Sequence, residues 1–287
     1  MKVDNAIIMA AGTASRFAPL SFEKPKALIE VRGEVLIERQ IRQLREAGID
    51  EIIIVTGYKA EQFVYLKEQF GVILIENRDF LTRNNQASIY VARNYLKNSY
   101  ICSSDNYFLE NPFENEVDES YYAAVYMEGD TNEWCIEEQK DYIKNVVVGG
   151  KDSWVMLGHV FWSEAFSKKF ISILETEYER ADTADKLWET IYIEHIKELP
   201  MKIKKYPPDF IFEFDTLDEL RQFDASYNND TRSVILKKIA KELGCKESDI
   251  THVKAWKDKD NAAAGFTFEA GKKYKYDYKT EKLEEIL

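Results

Sequence analysis

Along the first hundred residues, short, mostly apolar runs alternate with segments in which apolar residues recur every three or four positions. The runs are residues 6–9, 51–56, 72–75 and 100–102, and their β-branched content predicts buried strands. Between them, Ile37, Ile41 and Leu44, then Phe63, Leu66 and Phe70, then Ile89, Ala92 and Leu96 mark three helices, with Gly48 and Gly71 stopping the first two. Repeated strand–helix units predict an α/β protein with a mainly parallel, mixed sheet sandwiched by helices. Ligands of such sheets bind at the carboxyl ends of the strands. Residues 12–26, 84–88 and Asp105 all fall there.

The rhythm then loosens. Residues 121–127 and 154–162 read as strands. Phe166, Phe170 and Ile173 share one helical face, as do Trp188, Tyr192, Ile196 and Leu199. Residues 210–214 (FIFEF) form a strand running into Asp215, and Leu217, Leu220 and Phe223 a short helix after it. A polar, turn-like break is expected at residues 226–231 (SYNNDT). It divides a main domain, 1–228, from a small α+β appendage, 229–287. The appendage should hold a helix with Ile235, Ile239 and Leu243 on one face and a hairpin turned at Ala270-Gly271. So small a piece makes a meagre core alone and is expected to lean on the main domain or on another copy of the chain, forming an oligomer.

Composition narrows the function classes. The 287 residues are 45% hydrophobic and 13% aromatic, enough for a substantial core. No apolar run approaches the length of a membrane span. The net charge of −12 argues against nucleic acid as a partner. Three scattered cysteines, Cys102, Cys135 and Cys245, show no metal spacing and predict reduced thiols. With a strand starting at residue 6, no secretory leader is expected, and the expected location is cytoplasmic.

The first strand empties into MAAGTASRFAPLSFEKPKAL, residues 9–28. A small-residue turn with bare backbone amides, an Arg and a Lys can wrap and neutralise an anion. Neither a Gly-Lys-Ser/Thr ending nor G-x-G-x-x-G is present, so a P-loop and a dinucleotide loop are both excluded. What remains suits nucleotidyl transfer, in which Arg16 and Lys26 would stabilise charge developing on phosphates. A divalent metal would assist, held by one or two carboxylates. Asp105, in SSDNY, and Asp215, after FIFEF with Glu213 nearby, are the candidates. Against Asp215 stands an ordinary role, since an Asp ahead of Thr-Leu-Asp-Glu-Leu can be a helix N-cap. Trp188 and Tyr192, at i and i+4, likewise suit core packing.

Ala10-Ala11-Gly12-Thr13-Ala14-Ser15-Arg16, Pro25-Lys26-Ala27-Leu28 and Val55-Thr56-Gly57-Tyr58 together resemble the signature of nucleotidyltransferases that make sugar nucleotides or activated choline. Ala14 departs from it, standing at the usual second glycine. Asn84-Asn85, Ser88-Ile89-Tyr90, Ser104-Asp105-Asn106-Tyr107, Thr131-Asn132-Glu133-Trp134, Leu187-Trp188-Glu189 and Phe212-Glu213-Phe214-Asp215 resemble the bacterial CTP:phosphocholine cytidylyltransferases over residues 1–225. That resemblance implies a Rossmann-like nucleotidyltransferase fold and transfer of CMP from CTP to phosphocholine. It implies that Lys26 and Arg16 act on the reacting phosphates and that Asp105 and Asp215 hold Mg²⁺. Ala10, Ala11, Gly12, Thr13 and Ala14, with Asn85 and Ser88, would surround the nucleotide. Trp134, Trp188 and Tyr192 would offer ring faces to the quaternary ammonium, with Glu133, Glu189 and Glu213 adding negative charge. Phosphoethanolamine, 2-aminoethylphosphonate and sugar phosphates stand as other acceptors. A non-catalytic nucleotide-binding regulator stands as a reading from a different class, motivated by Ala14 and the C-terminal piece. That piece resembles the opening of a choline-kinase-type domain through Asn261 and Phe266-Thr267-Phe268, and is too short to hold a kinase catalytic loop.

Overall fold

The computed structural model describes residues 1–257 and 263–286. Asn261 lies outside them. The chain forms two compact units, one of Met1–Gly12 with Ile37–Phe212 and the other of Thr13–Leu36 with Glu213–Leu287.

The first unit is built on a seven-stranded sheet. Its strands in chain order are β1 (Asn5–Ala10), β2 (Ile52–Thr56), β3 (Ile73–Glu76), β4 (Ser99–Ser103), β5 (Tyr121–Gln139), β6 (Tyr142–Trp162) and β7 (Lys202–Tyr206), and the spatial order is β7-β5-β6-β4-β1-β2-β3. β1 runs parallel to both β2 and β4, β2 is parallel to β3, and β6 is antiparallel to its neighbours β4 and β5. The sheet is mixed and α/β as expected. All five residues of β2 are buried, because helices cover both faces of a parallel sheet. Those helices are α1 (Leu36–Glu46), α2 (Val64–Phe70), α3 (Gln86–Ala92), α4 (Glu164–Glu177) and α5 (Trp188–Glu194). Ile37, Ile41 and Leu44 of α1 are fully buried, which is the face their spacing predicts. The last helix is shorter than its apolar spacing suggests and ends before Ile196.

The expected strands 121–127 and 154–162 are the bases of one long hairpin, β5–β6. Its tip is Lys140-Asp141, with φ of 55° and 63°, the left-handed pair that a two-residue hairpin turn requires. Bulges between Met127 and Asp130 and between Thr131 and Trp134 break the alternation that would have extended the prediction.

The second unit joins the loop segment near the start of the chain to the C-terminal region. It contains α6 (Leu217–Phe223), α7 (Ser226–Asn229), α8 (Val234–Leu243) and an antiparallel sheet of β8 (Thr251–Lys257), β9 (Ala263–Ala270), β10 (Lys272–Asp277) and β11 (Lys282–Ile286). The expected hairpin is its centre. The compact units differ from a division at residue 228, since residues 229–287 group with segment 13–36. The expected polar break is also built differently. Residues 226–229 are helical, Tyr227 is buried and its hydroxyl donates to Glu30 O at 2.6 Å, and Thr231 is buried with its N–H donating to Glu247 Oε2 at 2.8 Å.

In the first unit Gly57 marks the closest backbone approach at the end of β2. A Cβ there would stand 2.8 Å from Ala11 O and 2.9 Å from Ala11 Cβ, while the next amide, Tyr58 N–H, donates to Ala11 O at 3.0 Å. Gly57→Ala is therefore expected to destabilise the fold by about 1–3 kcal/mol, read as a lower urea midpoint. An unchanged midpoint would show that the contact yields freely.

Candidate active site

Three of the expected residues converge inside the second unit. Arg16 lies in the 3-10 turn Ser15–Phe17, and Lys26 opens another, Lys26–Leu28. Arg16 Nη1 sits 2.7 Å from Asp215 Oδ2, and Lys26 Nζ is 3.5 Å from Asp215 Oδ1. Lys26 is only 7% exposed and lies over the Phe17 ring at 5.7 Å, whereas Arg16 is largely exposed. Asp215 is not the cap of the following helix. Thr216 is that cap, its Oγ1 accepting from Glu219 N at 3.2 Å while the Glu219 carboxylate accepts from the Thr216 and Asp215 N–H groups. The Asp215 carboxylate is thereby left facing the two cations. Glu213, two residues earlier, is exposed.

Ala14 holds φ 46° and ψ 47°, the left-handed region that glycine enters without a Cβ penalty and alanine does not. This is the physical reason a glycine suits this position, and the chain makes the turn regardless. Thr13 and Ala14 belong to the second unit, Ala10, Ala11 and Gly12 to the first. Ala10 and Ala11 are buried, while Gly12 is exposed, and apart from its own and its two chain neighbours' atoms none of the described residues comes within 4 Å of where its Cβ would stand.

In the first unit, Asp105 is half-buried beyond β4 and accepts from Ser103 Oγ at 2.7 Å. The turn carrying it is pinned by the buried Gln40 of α1, whose Nε2 donates to Ser103 O at 2.8 Å and Asn106 O at 2.9 Å. Gln40 lies on the same helical face as Ile37, Ile41 and Leu44, so a polar residue on the apolar face is the signal that could have found it. Among the described residues no three His, Cys, Asp or Glu side chains cluster. Mg²⁺ asks less of a protein, taking one or two carboxylates and completing its shell with phosphate oxygens and water. Asp105 and Asp215 are hard oxygen donors of that kind.

Asn85 and Ser88 are occupied by the protein. Asn85 Oδ1 accepts from Trp188 N at 2.7 Å and its Nδ2 donates to Glu189 Oε2 at 3.0 Å, so Asn85 fastens the first turn of α5. Ser88 is buried, and its Oγ accepts from Asn77 Nδ2 at 3.2 Å. The aromatic cage needs correction. Trp188 is 1% exposed and Tyr192 fully buried. Trp188 stacks on Tyr122 at 5.8 Å and meets Trp162 edge-on at 5.2 Å, while Tyr192 packs beside Phe166. Rings with both faces in the core offer none to a ligand. Trp134 is half-buried at the second bulge of β5, and Glu133 beside it is exposed.

Glu189 is the most perturbed carboxylate of this region. Burial of its carboxyl raises its pKa to about 7, against the lowering effect of hydrogen bonds from Asn85, its own backbone and Tyr122.

Residues 6–125 match the model of the MobA-like NTP transferase domain family. The chain is 36% identical over 226 residues to the choline-phosphate cytidylyltransferase of Streptococcus pneumoniae, covering 78% of this chain and 99% of that protein. It is 35% identical over 228 residues to the 2-aminoethylphosphonate cytidylyltransferase of Lancefieldella rimae, covering 78% and 93%. The solved CTP:phosphocholine cytidylyltransferase of Streptococcus pneumoniae superposes with a TM-score of 0.75 over 79% of this chain and 99% of that one.

Because the folded pKa of Glu189 lies above its unfolded one, the folded chain keeps a proton that the unfolded chain loses between pH 4.5 and about 7. Stability from this group is complete below that window and is lost as pH rises through it. Glu189→Gln is expected to flatten the pH dependence of the melting temperature across this range and to gain about 1–3 kcal/mol at pH 8. An identical pH profile for both proteins would contradict the assignment.

Proposed function

The chain belongs to the nucleotidyltransferase family that includes the choline-phosphate cytidylyltransferases, and from that premise we propose that it transfers CMP from CTP to phosphocholine. The observation that carries the reading is the grouping of Lys26 and Arg16 on Asp215. A phosphate oxygen of phosphocholine bonds to the α-phosphorus of CTP. The bond from that phosphorus to the oxygen bridging to the β-phosphate breaks, and its electron pair leaves on pyrophosphate. The attacking oxygen is already anionic, so positioning and charge neutralisation suffice, without a general base.

Lys26 offers a charge that burial keeps from being screened by water. Arg16, exposed and forked, suits the outer phosphates. Asp215 holds both cations in place. Asp105 and Asp215 would be the residues to hold Mg²⁺, as the family resemblance implies, and the ion would supply charge neutralisation on the phosphate oxygens. The loop Ala10 to Ala14 offers its backbone to the nucleotide, and Asn85 contributes by fixing α5. Trp134, Glu133 and Glu189 of the first unit are the groups proposed to receive the cationic end of the acceptor, and Glu213 belongs to the second unit.

A second reading, transfer to 2-aminoethylphosphonate, is favoured by one observation. With Trp188 and Tyr192 in the core, Trp134 alone remains of the three expected rings. A single ring with a carboxylate next to it in the chain, as Glu133 is to Trp134, suits a primary amine, which donates hydrogen bonds, at least as well as a quaternary ammonium.

Pyrophosphate release from CTP with phosphocholine is expected in the presence of Mg²⁺, and faster release with 2-aminoethylphosphonate would favour the second reading. No release from CTP with any aminoalkyl phosphate would sink both. Lys26→Ala is expected to lower kcat/KM by about 10²–10³-fold. Gly12→Ala, whose added methyl meets none of the described residues beyond its chain neighbours within 4 Å, is expected to raise KM for CTP while leaving the melting temperature unchanged. A fall in melting temperature without a change in KM would place Gly12 in the scaffold instead.

A further inference from the structure

We propose that the C-terminal extension is a clamp that positions the phosphate-binding segment, acting through Glu23 and Tyr278. The relative from Streptococcus pneumoniae is matched over 99% of its length by 78% of this chain, so about a fifth of the chain has no counterpart there. Within the second unit, that added material grips the short stretch between Arg16 and Lys26. Strand β8 lies beside the Ser15–Phe17 turn that carries Arg16. The Tyr278 ring stacks on Phe22 at 4.5 Å with an 18° tilt, and its hydroxyl donates to Phe22 O at 3.3 Å. Glu23, three residues before Lys26, places its carboxylate on the N-terminus of the ten-residue helix α8. It accepts from Val234 N at 2.8 Å, from Ile235 N at 3.2 Å and from the Ser233 hydroxyl.

A carboxylate there satisfies donors that the helix cannot pair internally and lies at the positive end of its dipole. The helix N-terminus is therefore filled from within, and its partner is the segment that carries both cations. Residues 16 to 26 are consequently held along their length by the turn at one end, the stacked ring in the middle and the capped helix near Lys26. Glu23 and Tyr278 are positioning residues, since each acts on the phosphates through the backbone that presents Arg16 and Lys26.

The inference rests on the proposed use of CTP, so its test needs a readout besides activity. In the full-length protein, Tyr278→Ala and Glu23→Ala are expected to speed amide hydrogen exchange across residues 13–24. Both are expected to lower kcat/KM for CTP on the order of tenfold while KM for the acceptor stays unchanged. Tyr278→Phe, which keeps the stacked ring, is expected to restore most of both values, and Lys273→Ala, on the exposed part of β10, to change neither. Should Glu23→Ala fail to fold, Glu23→Gln, which keeps an acceptor oxygen, gives the same readout in weaker form. Exchange and kcat/KM equal to those of the parent protein in both alanine variants would overturn the clamp. Faster exchange in a protein that releases no pyrophosphate from CTP would support the clamp and overturn the functional reading.

Discussion

One carboxylate, Asp215, holds an arginine and a lysine that come from near the start of the chain. Segment Thr13–Leu36 groups with the chain from Glu213 onward, and the Asp215 grouping is one of the contacts that join them, beside Arg32 N–H on the Asp224 carboxylate and the Tyr227 hydroxyl on Glu30 O. Two like charges brought together in a half-buried place repel unless a carboxylate stands with them. The capping box of Thr216 and Glu219 frees Asp215 for this task by taking over the helix end it would otherwise cap. Local helix chemistry and phosphate chemistry are thus assigned to neighbouring residues.

Much of the fold is legible in the sequence where local and global preferences agree. The βα units of the first hundred residues are legible because β1, β2 and β4, largely buried, have no polar alternation to confuse with a helix, while β3, expected to be buried, lies at the sheet edge and is half-buried to exposed. The β5–β6 hairpin is not, because its turn is Lys-Asp in place of Asn-Gly and its bulges move residues out of register. Residues 226–231 look like a linker because polar side chains satisfied by other side chains, such as Thr231 by Glu247, carry no hydrophobic signal. The outer strands β8 and β11 flank the expected hairpin, and their mixed lysines, glutamates and apolar residues gave no clear period.

The site was legible in part. Arg16, Lys26 and Asp215 come together inside one unit, as their strand-end positions suggest, and Asp105 stands on a turn pinned from α1. The family resemblance, more than residue spacing, carried the nucleotide and acceptor assignments. Trp188 and Tyr192 show the limit of spacing, since aromatic residues at i and i+4 look the same whether they line a cage or fill a core. The resemblance implies a nucleotide contact for Asn85, and nothing in its spacing shows that its amide also ties down the helix bearing Glu189. Glu23 carries no sequence signal as a positioning residue, because its partners lie some two hundred residues away.

The central claim is that Lys26 and Asp215 act as one unit on the phosphates of CTP. A double-mutant cycle on kcat/KM for pyrophosphate release, built from Lys26→Ala, Asp215→Ala and the double variant, tests it most directly. Residues that share one task lose it once, so the account predicts that the double variant is little worse than the poorer single one, with a coupling of about 1 kcal/mol or more. Fully additive losses would contradict the account and leave the two side chains as independent contributors.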